Sequence, residues 1–260
     1  MINLIGKLGY IVNLIKTYST WYEVLLGRFM GKPLKGVKLR NGLYIISGEK
    51  SLVTDLVDEI FIKEIYTPKF LRIEKGDTVV DVGANLGAFS LYAAQNGAKN
   101  IIDVEPLPQN ISLIKRNFHI NKFSLPQIEG IALSDKKGFA KLYLGDLDSH
   151  NSLFDHNFLN TKFEKYIWVR TATLKDVLDK ENIKHVDFLK IDCEGSEGQI
   201  VASTPIAVWK DIDKVVIEYH DGVAAYSHTD IVTKLKSVGF KTVVKTTDRF
   251  LGYIYAFRKC

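Results

Sequence analysis

Hydrophobic positions change their period along the chain, and the changes mark its organisation. Ile2, Leu4, Ile5, Leu8, Ile11, Val12 and Ile15 recur at helical spacing, so residues 1–30 are expected to form one or two amphipathic helices. Gly31-Lys32-Pro33 breaks them, and residues 37–39 and 44–46 flank Asn41-Gly42 as a hairpin. Residues 51–66 read as helical again, up to Pro68. From residue 76 a new rhythm begins, in which β-rich runs at 78–82, 100–104, 127–133, 187–191 and 214–218 alternate with helical stretches such as 89–96 and 109–121. Two last runs, 241–245 and 251–257, have only residues 246–250 between them.

Such alternation predicts βαβ units, hence an α/β doubly wound, mostly parallel seven-stranded sheet with helices on both faces. The last connection is too short for a crossover helix, so its strands must be antiparallel and one strand runs against the sheet. Residues 138–174 interrupt the rhythm with strands near 141–144 and 167–171 joined by a polar loop, an insertion expected over the edge where such sheets bind ligands. The chain thus divides into an N-terminal helical and hairpin extension, 1–70, and a catalytic domain, 71–260.

The run from Val79 to Gly87 carries the first chemical signal: a hydrophobic strand ending at Asp81 leads through Gly83, Ala84 and Asn85 to Gly87 and a helix. Glycines there let the backbone approach a ligand, and the helix start offers free N–H groups. Eighteen residues after Gly87, Glu105 ends the next strand, where a carboxylate can accept both ribose hydroxyls of an adenosine. Dinucleotide sites need a second glycine to give the pyrophosphate room, and Asn85 stands there. A phosphate P-loop is excluded because no Lys-Ser/Thr pair follows. S-adenosylmethionine contains adenosine without pyrophosphate, and it is the donor this turn predicts.

Two further strand ends carry acids. Leu189 to Gly195 includes Asp192 and Glu194, and Val216 to His220 includes Glu218 and His220. Neighbouring strands would bring these four together beside a bound methyl donor, Asp192 abutting the donor itself. Methyl transfer to a hydroxyl needs an aligned acceptor and removal of its proton, which a crowded carboxylate/imidazole site can supply. The same groups could instead hold a divalent ion; direct base catalysis is the favoured reading, and no metal site is assigned. Cys193 is read as a small buried residue rather than a nucleophile, because Asp192 and Glu194 disfavour a thiolate. Asp146, Asp148, His150, Asp155 and His156 in the insertion are read as solvated polar residues, with Asn151 and Ser152 as contacts for a hydroxylated acceptor. Asn110-Ile111-Ser112 matches a glycosylation acceptor but carries little weight in an intracellular chain.

Charge adds a regional asymmetry. The net charge of +5 is concentrated in residues 1–40, where seven basic residues face one acid, Glu23; the remainder is at −1. The basic segment suggests a peripheral membrane contact or a homodimer interface through residues 1–40. Its apolar run is too short and too interrupted to span a bilayer, and no cleavage site of a signal peptide follows. Two cysteines provide no disulfide framework, so the chain is expected in the cytoplasm, where the basic segment could rest on the inner membrane surface. Nucleic acid is not the expected partner: the catalytic part is not basic, and the Asn/Asp-Pro-Pro-aromatic motif of exocyclic-amine methylation is absent.

With these motifs in order, the chain resembles the FkbM family of methyltransferases. The matching stretches are residues 79–90, Glu105-Pro106 with Asn110, 132–135, Ser152-Leu153, 173–178, 187–197 and Glu218-Tyr219-His220, together spanning about 76–245. Cys193 stands where that family usually has Val. The resemblance implies S-adenosylmethionine-dependent O-methylation of a sugar, glycolipid or natural product. It assigns the donor to Gly83, Asn85, Gly87 and Glu105, and an adenine contact to Ser134 and Asp135. An RNA or protein methyltransferase, or a donor-binding protein without catalysis, are the competing classes.

Overall fold

The computed structural model describes residues 4–48, 52–145, 151–154, 163 and 165–258. Helices α1 (Leu4–Thr17) and α2 (Trp21–Met30) open the chain. Gly31, left-handed at φ 63°, closes α2 by donating its N–H back to the last turn. The hairpin follows as β1 (Gly36–Lys38) and β2 (Tyr44–Ile46). The expected helix at 51–66 is shorter and less regular: α3 (Val53–Val57) runs into a π-helical turn, Asp58–Ile62. Such turns interrupt helices at functional sites, and this one faces the cavity described below.

The alternation comprises β3 (Thr78–Val82), α4 (Ala88–Gln95), β4 (Asn100–Val104), α5 (Pro108–Ile120) and β5 (Gln127–Glu129). After an inserted sheet come α6 (Leu174–Lys180), β9 (Val186–Ile191), α7 (Glu197–Ser203), α8 (Ile206–Lys210) and β10 (Ile212–His220). The chain ends with α9 (His228–Ser237), β11 (Lys241–Thr246) and β12 (Leu251–Phe257). Capping boxes start α6 at Thr173/Asp176 and α9 at Ser227/Asp230, each satisfying otherwise unpaired N–H groups.

The main sheet has seven strands in the order β11-β12-β10-β9-β3-β4-β5, with β12 antiparallel to both neighbours and the other pairings parallel. This is the reversed-strand, doubly wound sheet predicted. Chain direction switches between β3 and β9, so a crevice opens where their carboxyl ends diverge. The predicted strand over 127–133 is a correction. The chain leaves the sheet at Gly130, and Ala132–Leu133 becomes β6 of a separate three-stranded sheet with β7 (Gly138–Leu144) and β8 (Lys165–Ala172).

Strand alternation sends Val79 and Phe188 to one face and Val80, Val82, Leu189 and Ile191 to the other, and each face carries its own core. Helices α6, α7 and α9 cover the second face. The first is covered by α4, α5 and the N-terminal extension, whose Leu14, Tyr18, Val24, Val37, Ile45 and Val57 share one core with Leu91 and Phe118. Asn117 and Asn121 fasten the extension by clamping backbone groups of Ile46 and Tyr44 at 2.7–3.3 Å. The described residues of the extension therefore share a core with the sheet and its helices. No helix among the described residues is long and apolar enough to cross a membrane.

Candidate active site

A cavity of about 310 Å³ fills the crevice at the switch point. Gly83, Ala84, Asn85, Glu105 and Pro106 line one end; Asp192, Cys193, Glu194, Ser196 and Glu218 line the other. Leu56, Glu59, Ile60 and Tyr66 of the extension form a wall, and Ala132, Leu142, Asn151 and Leu153 of the inserted sheet another.

The glycine turn is shaped by contact. A side chain on Gly83 would put Cβ 1.8 Å from the Asp192 carbonyl oxygen, and its φ of 77° lies in the left-handed region. Asn85 and Glu194 are non-glycine residues with positive φ, 52° and 54°, and both face the cavity. Strain of this kind persists where surrounding structure enforces it, often at functional sites. Glu105 accepts from the backbone N–H of Asn85 (2.9 Å) and Leu107 (2.9 Å) and from the Asn110 amide (3.2 Å). Its two oxygens have about four lone-pair positions, so capacity remains for a ligand hydroxyl. Burial pushes its pKa up to about 7 despite those donors. Asn85 Oδ1 and Ser196 Oγ are buried at the cavity without a hydrogen-bond partner. Orphaned groups there, an open glycine cradle and a carboxylate with spare acceptors fit an adenosyl ligand.

At the other end Tyr66 stands between two acids, its hydroxyl 3.0 Å from Asp192 Oδ2 and 2.7 Å from Glu218 Oε2. One hydroxyl donates one hydrogen, so both contacts require that one carboxyl carry a proton. Burial, followed by the neighbouring Asp192, pushes Glu218 up to about 8. Glu194 is likewise raised to about 8, chiefly by burial, with His220 opposing. Glu59 across the cavity rises to about 7 through burial. Lys190 lies beneath: burial alone would lower its pKa, but Asp81 at 3.0 Å and Asp192 at 3.6 Å raise it, keeping it charged.

Glu197 holds the turn after β9. It accepts from the N–H groups of Cys193 (3.1 Å) and Gly195 (3.0 Å) and pairs with His220 Nδ1 at 3.1 Å. Burial would raise its pKa, but His220 and those N–H groups outweigh it and keep Glu197 ionised. Burial would lower the pKa of His220, yet Glu194 at 3.3 Å and Glu197 raise it well above the usual value.

Several predicted residues also have partners within the fold. His220 does not line the cavity; it sits behind Glu194, with its Nδ1 3.1 Å from Glu197 and its Nε2 3.3 Å from Glu194. Asp192, Glu194 and His220 have ligand atoms within 4.8 Å of one another, close enough to share a metal ion. Asp81 is buried under the turn, binding Lys190 and accepting from Ser90 at 3.0 Å. Gly87 faces Ile114 of α5. Ser134 and Asp135 bond to each other at 3.0 Å beyond the cavity edge, and Ile131, Ala132 and Leu133 line it instead. Ser152 Oγ donates to the Glu194 carbonyl at 2.6 Å, bracing the acidic turn, while Asn151 lines the cavity. Cys193 is a partly buried thiol whose pKa burial pushes well above its usual value, as expected of a packing residue. Asp146, Asp148, His150, Asp155 and His156 lie outside the described residues.

Tyr66, Lys190, Glu59, Ser196 and Glu197 were not assigned from sequence. Lys190 and Glu197 stand inside the motif around Asp192 and could have been found by its alternation. Tyr66 and Glu59 belong to the extension, where no motif flags them.

Sheet order, reversed strand and switch-point cavity define a class I, Rossmann-like methyltransferase. The model of the methyltransferase FkbM domain matches residues 81–242, and the chain belongs to that family. It is 25% identical over 250 residues to the 31-O-demethyl-FK506 methyltransferase FkbM of Streptomyces tacrolimicus, covering 86% of this chain and 95% of that one. It is 28% identical over 207 residues to Methyltransferase 1 of Beauveria bassiana, covering 73% of this chain and 82% of that one. A solved methyltransferase FkbM from Methylobacillus flagellatus superposes with a TM-score of 0.49 at 17% identity, over 72% of this chain and 45% of that one. The protein is a methyltransferase, and its family implies S-adenosylmethionine as donor.

Proposed function

We propose that the chain transfers a methyl group from S-adenosylmethionine to a hydroxyl of a small-molecule or glycan acceptor. The observation that carries this reading is the placement of Asp192, Glu194 and Glu218 on the cavity shared by the glycine turn and Glu105. Bound S-adenosylmethionine supplies an electrophilic methyl group on a sulfonium sulfur. Gly83, Ala84 and Asn85 leave room for it, Glu105 and the free Asn85 oxygen provide acceptors, and the acidic end offers negative charge opposite the cation.

Oxygen is a poor nucleophile until its proton leaves. Glu218, with a pKa near 8 and a hydrogen bond from Tyr66, is poised to accept that proton near neutral pH once a cation favours its ionised form. Asp192 shares the Tyr66 hydroxyl and pairs with Lys190, so it orients and balances charge. The name of the Streptomyces tacrolimicus relative specifies an O-methyl acceptor, which agrees with an oxygen nucleophile.

The test begins with calorimetric titration of S-adenosylhomocysteine against NAD as control. It continues with methyl-labelled donor and a panel of hydroxylated natural products, glycans and glycolipids. Selective binding and alkali-stable label on acceptor oxygen are expected. No S-adenosylhomocysteine binding, or label on nitrogen or RNA, would sink the proposal.

A further inference from the structure

The outer face of α2 is apolar where it meets solvent. Tyr22, Leu25, Leu26, Phe29 and Met30 are exposed and follow helical spacing, so they form one stripe, with Phe29 89% accessible and Leu26 57%. The opposite face is already used: Val24 is buried in the core, and Arg28 pairs with Asp55 at 3.2 Å and Asp58 at 3.0 Å. Much of the stripe's apolar surface is therefore left open to solvent, and contiguous apolar exposure is costly unless something covers it. Exposed Lys32 and Lys35 follow immediately, with Lys38 in the adjoining hairpin, and Glu23 is the single acid in residues 1–40.

We infer that α2 docks on an anionic lipid surface, inserting its apolar stripe at the headgroup boundary while the lysines contact lipid phosphates. Charge complementarity selects this occupant over a second copy of the chain. A twofold self-contact would bring two segments of net charge +6 together, whereas an anionic bilayer attracts both. Insertion of aromatic and aliphatic side chains flanked by lysines is the pattern of interfacial helices. Docking here also reaches the active site: Arg28 ties α2 to Asp55, which lines the cavity.

The experiment is flotation of the full-length protein with vesicles of phosphatidylcholine alone, or of phosphatidylcholine mixed with phosphatidylglycerol, at low and high salt. Wild-type protein should float with the mixed vesicles only. The exposed double substitution Leu26→Asp/Phe29→Asp should lower partitioning at least about tenfold, and Lys32→Glu/Lys35→Glu about three- to tenfold, with high salt acting like the latter. Circular dichroism checks the fold of each variant, and the lysine pair alone suffices if the apolar pair unfolds. Failure of wild-type protein to float, or equal flotation with phosphatidylcholine alone, overturns the inference. So does a wild-type dimer in light scattering that Leu26→Asp/Phe29→Asp converts to monomer.

Discussion

The two ends of the cavity are made from different kinds of sequence. The donor end comes from one continuous stretch: a strand, a glycine turn, a helix and the next strand end, all within residues 79–105. The acidic end is assembled from Tyr66, Lys190, Asp192, Glu194 and Glu218, and its Tyr66–Glu218 hydrogen bond joins residues 152 positions apart. The first end is set by its backbone, where a Cβ on Gly83 would strike the Asp192 carbonyl. The second is set by burial, which pushes Glu194 and Glu218 up to about 8 while Asp81 and Asp192 pair with one lysine. Shape at one end follows from local covalent geometry; charge state at the other exists only once the chain has folded.

The sharpest way to break this contrast is Gly83→Ala, since Gly83 touches both ends. Its Cβ would overlap the Asp192 carbonyl, and the left-handed φ adds strain, so the variant should lose about 3 kcal/mol of stability and most donor binding. Gly87→Ala shares the strain but meets Ile114 at 3.2 Å rather than a carbonyl at 1.8 Å, and should cost about 1–2 kcal/mol. Thermal unfolding and S-adenosylhomocysteine titration measure both, and equal behaviour of the two variants would deny Gly83 its bridging position. Next in size is Glu218→Gln, which should reduce turnover by about two to four orders of magnitude. Its affinity for S-adenosylhomocysteine should barely change, since the product has lost the sulfonium charge. Near-normal turnover would move the base elsewhere in the cluster.

Legibility from sequence follows the same division. The glycine turn, Glu105 and the acids of β9 and β10 could be read because strand ends in a parallel sheet converge, whatever the intervening chain. The reversed strand was legible from a five-residue connection. Tyr66 was not, because its partner is chosen by how the extension packs on α4, with no periodicity to announce it. Strand alternation placed His220 on the same side as Glu218, but its Nδ1 partner Glu197 enters from α7 and was not legible from the strand. Ser134 and Asp135 lie outside the residues that line the cavity, and the chain leaves the main sheet at Gly130, three residues before the predicted strand end.

Smaller effects separate the ends further. Glu105→Ala should weaken donor binding by about 1–3 kcal/mol, the range for removing partners of buried hydrogen bonds, and leave turnover at saturating donor nearly intact. Calorimetry with kinetics at high donor concentration tests both halves of that statement. A drop in saturated turnover matching the binding loss would show that the donor and acidic ends are not separable.

The finest test uses pH. Glu194 and Glu218 titrate near 8 in the folded protein against a usual value of 4.5, so folding keeps their protons on. A folded pKa raised above the unfolded one gives a contribution to stability that is complete below about 4.5 and is lost as pH climbs through about 8. Thermal stability should therefore decline between pH 5 and 9, and Glu218→Gln, which cannot ionise, should flatten part of that slope. A sulfonium cation favours the ionised carboxyls, so binding S-adenosylmethionine should release protons and tighten as pH rises toward 8. Neutral S-adenosylhomocysteine lacks that coupling and should show the flatter profile. Parallel slopes for the two ligands would mean that the sulfonium does not sense these carboxyls, and the acidic end would then have to act on the acceptor alone.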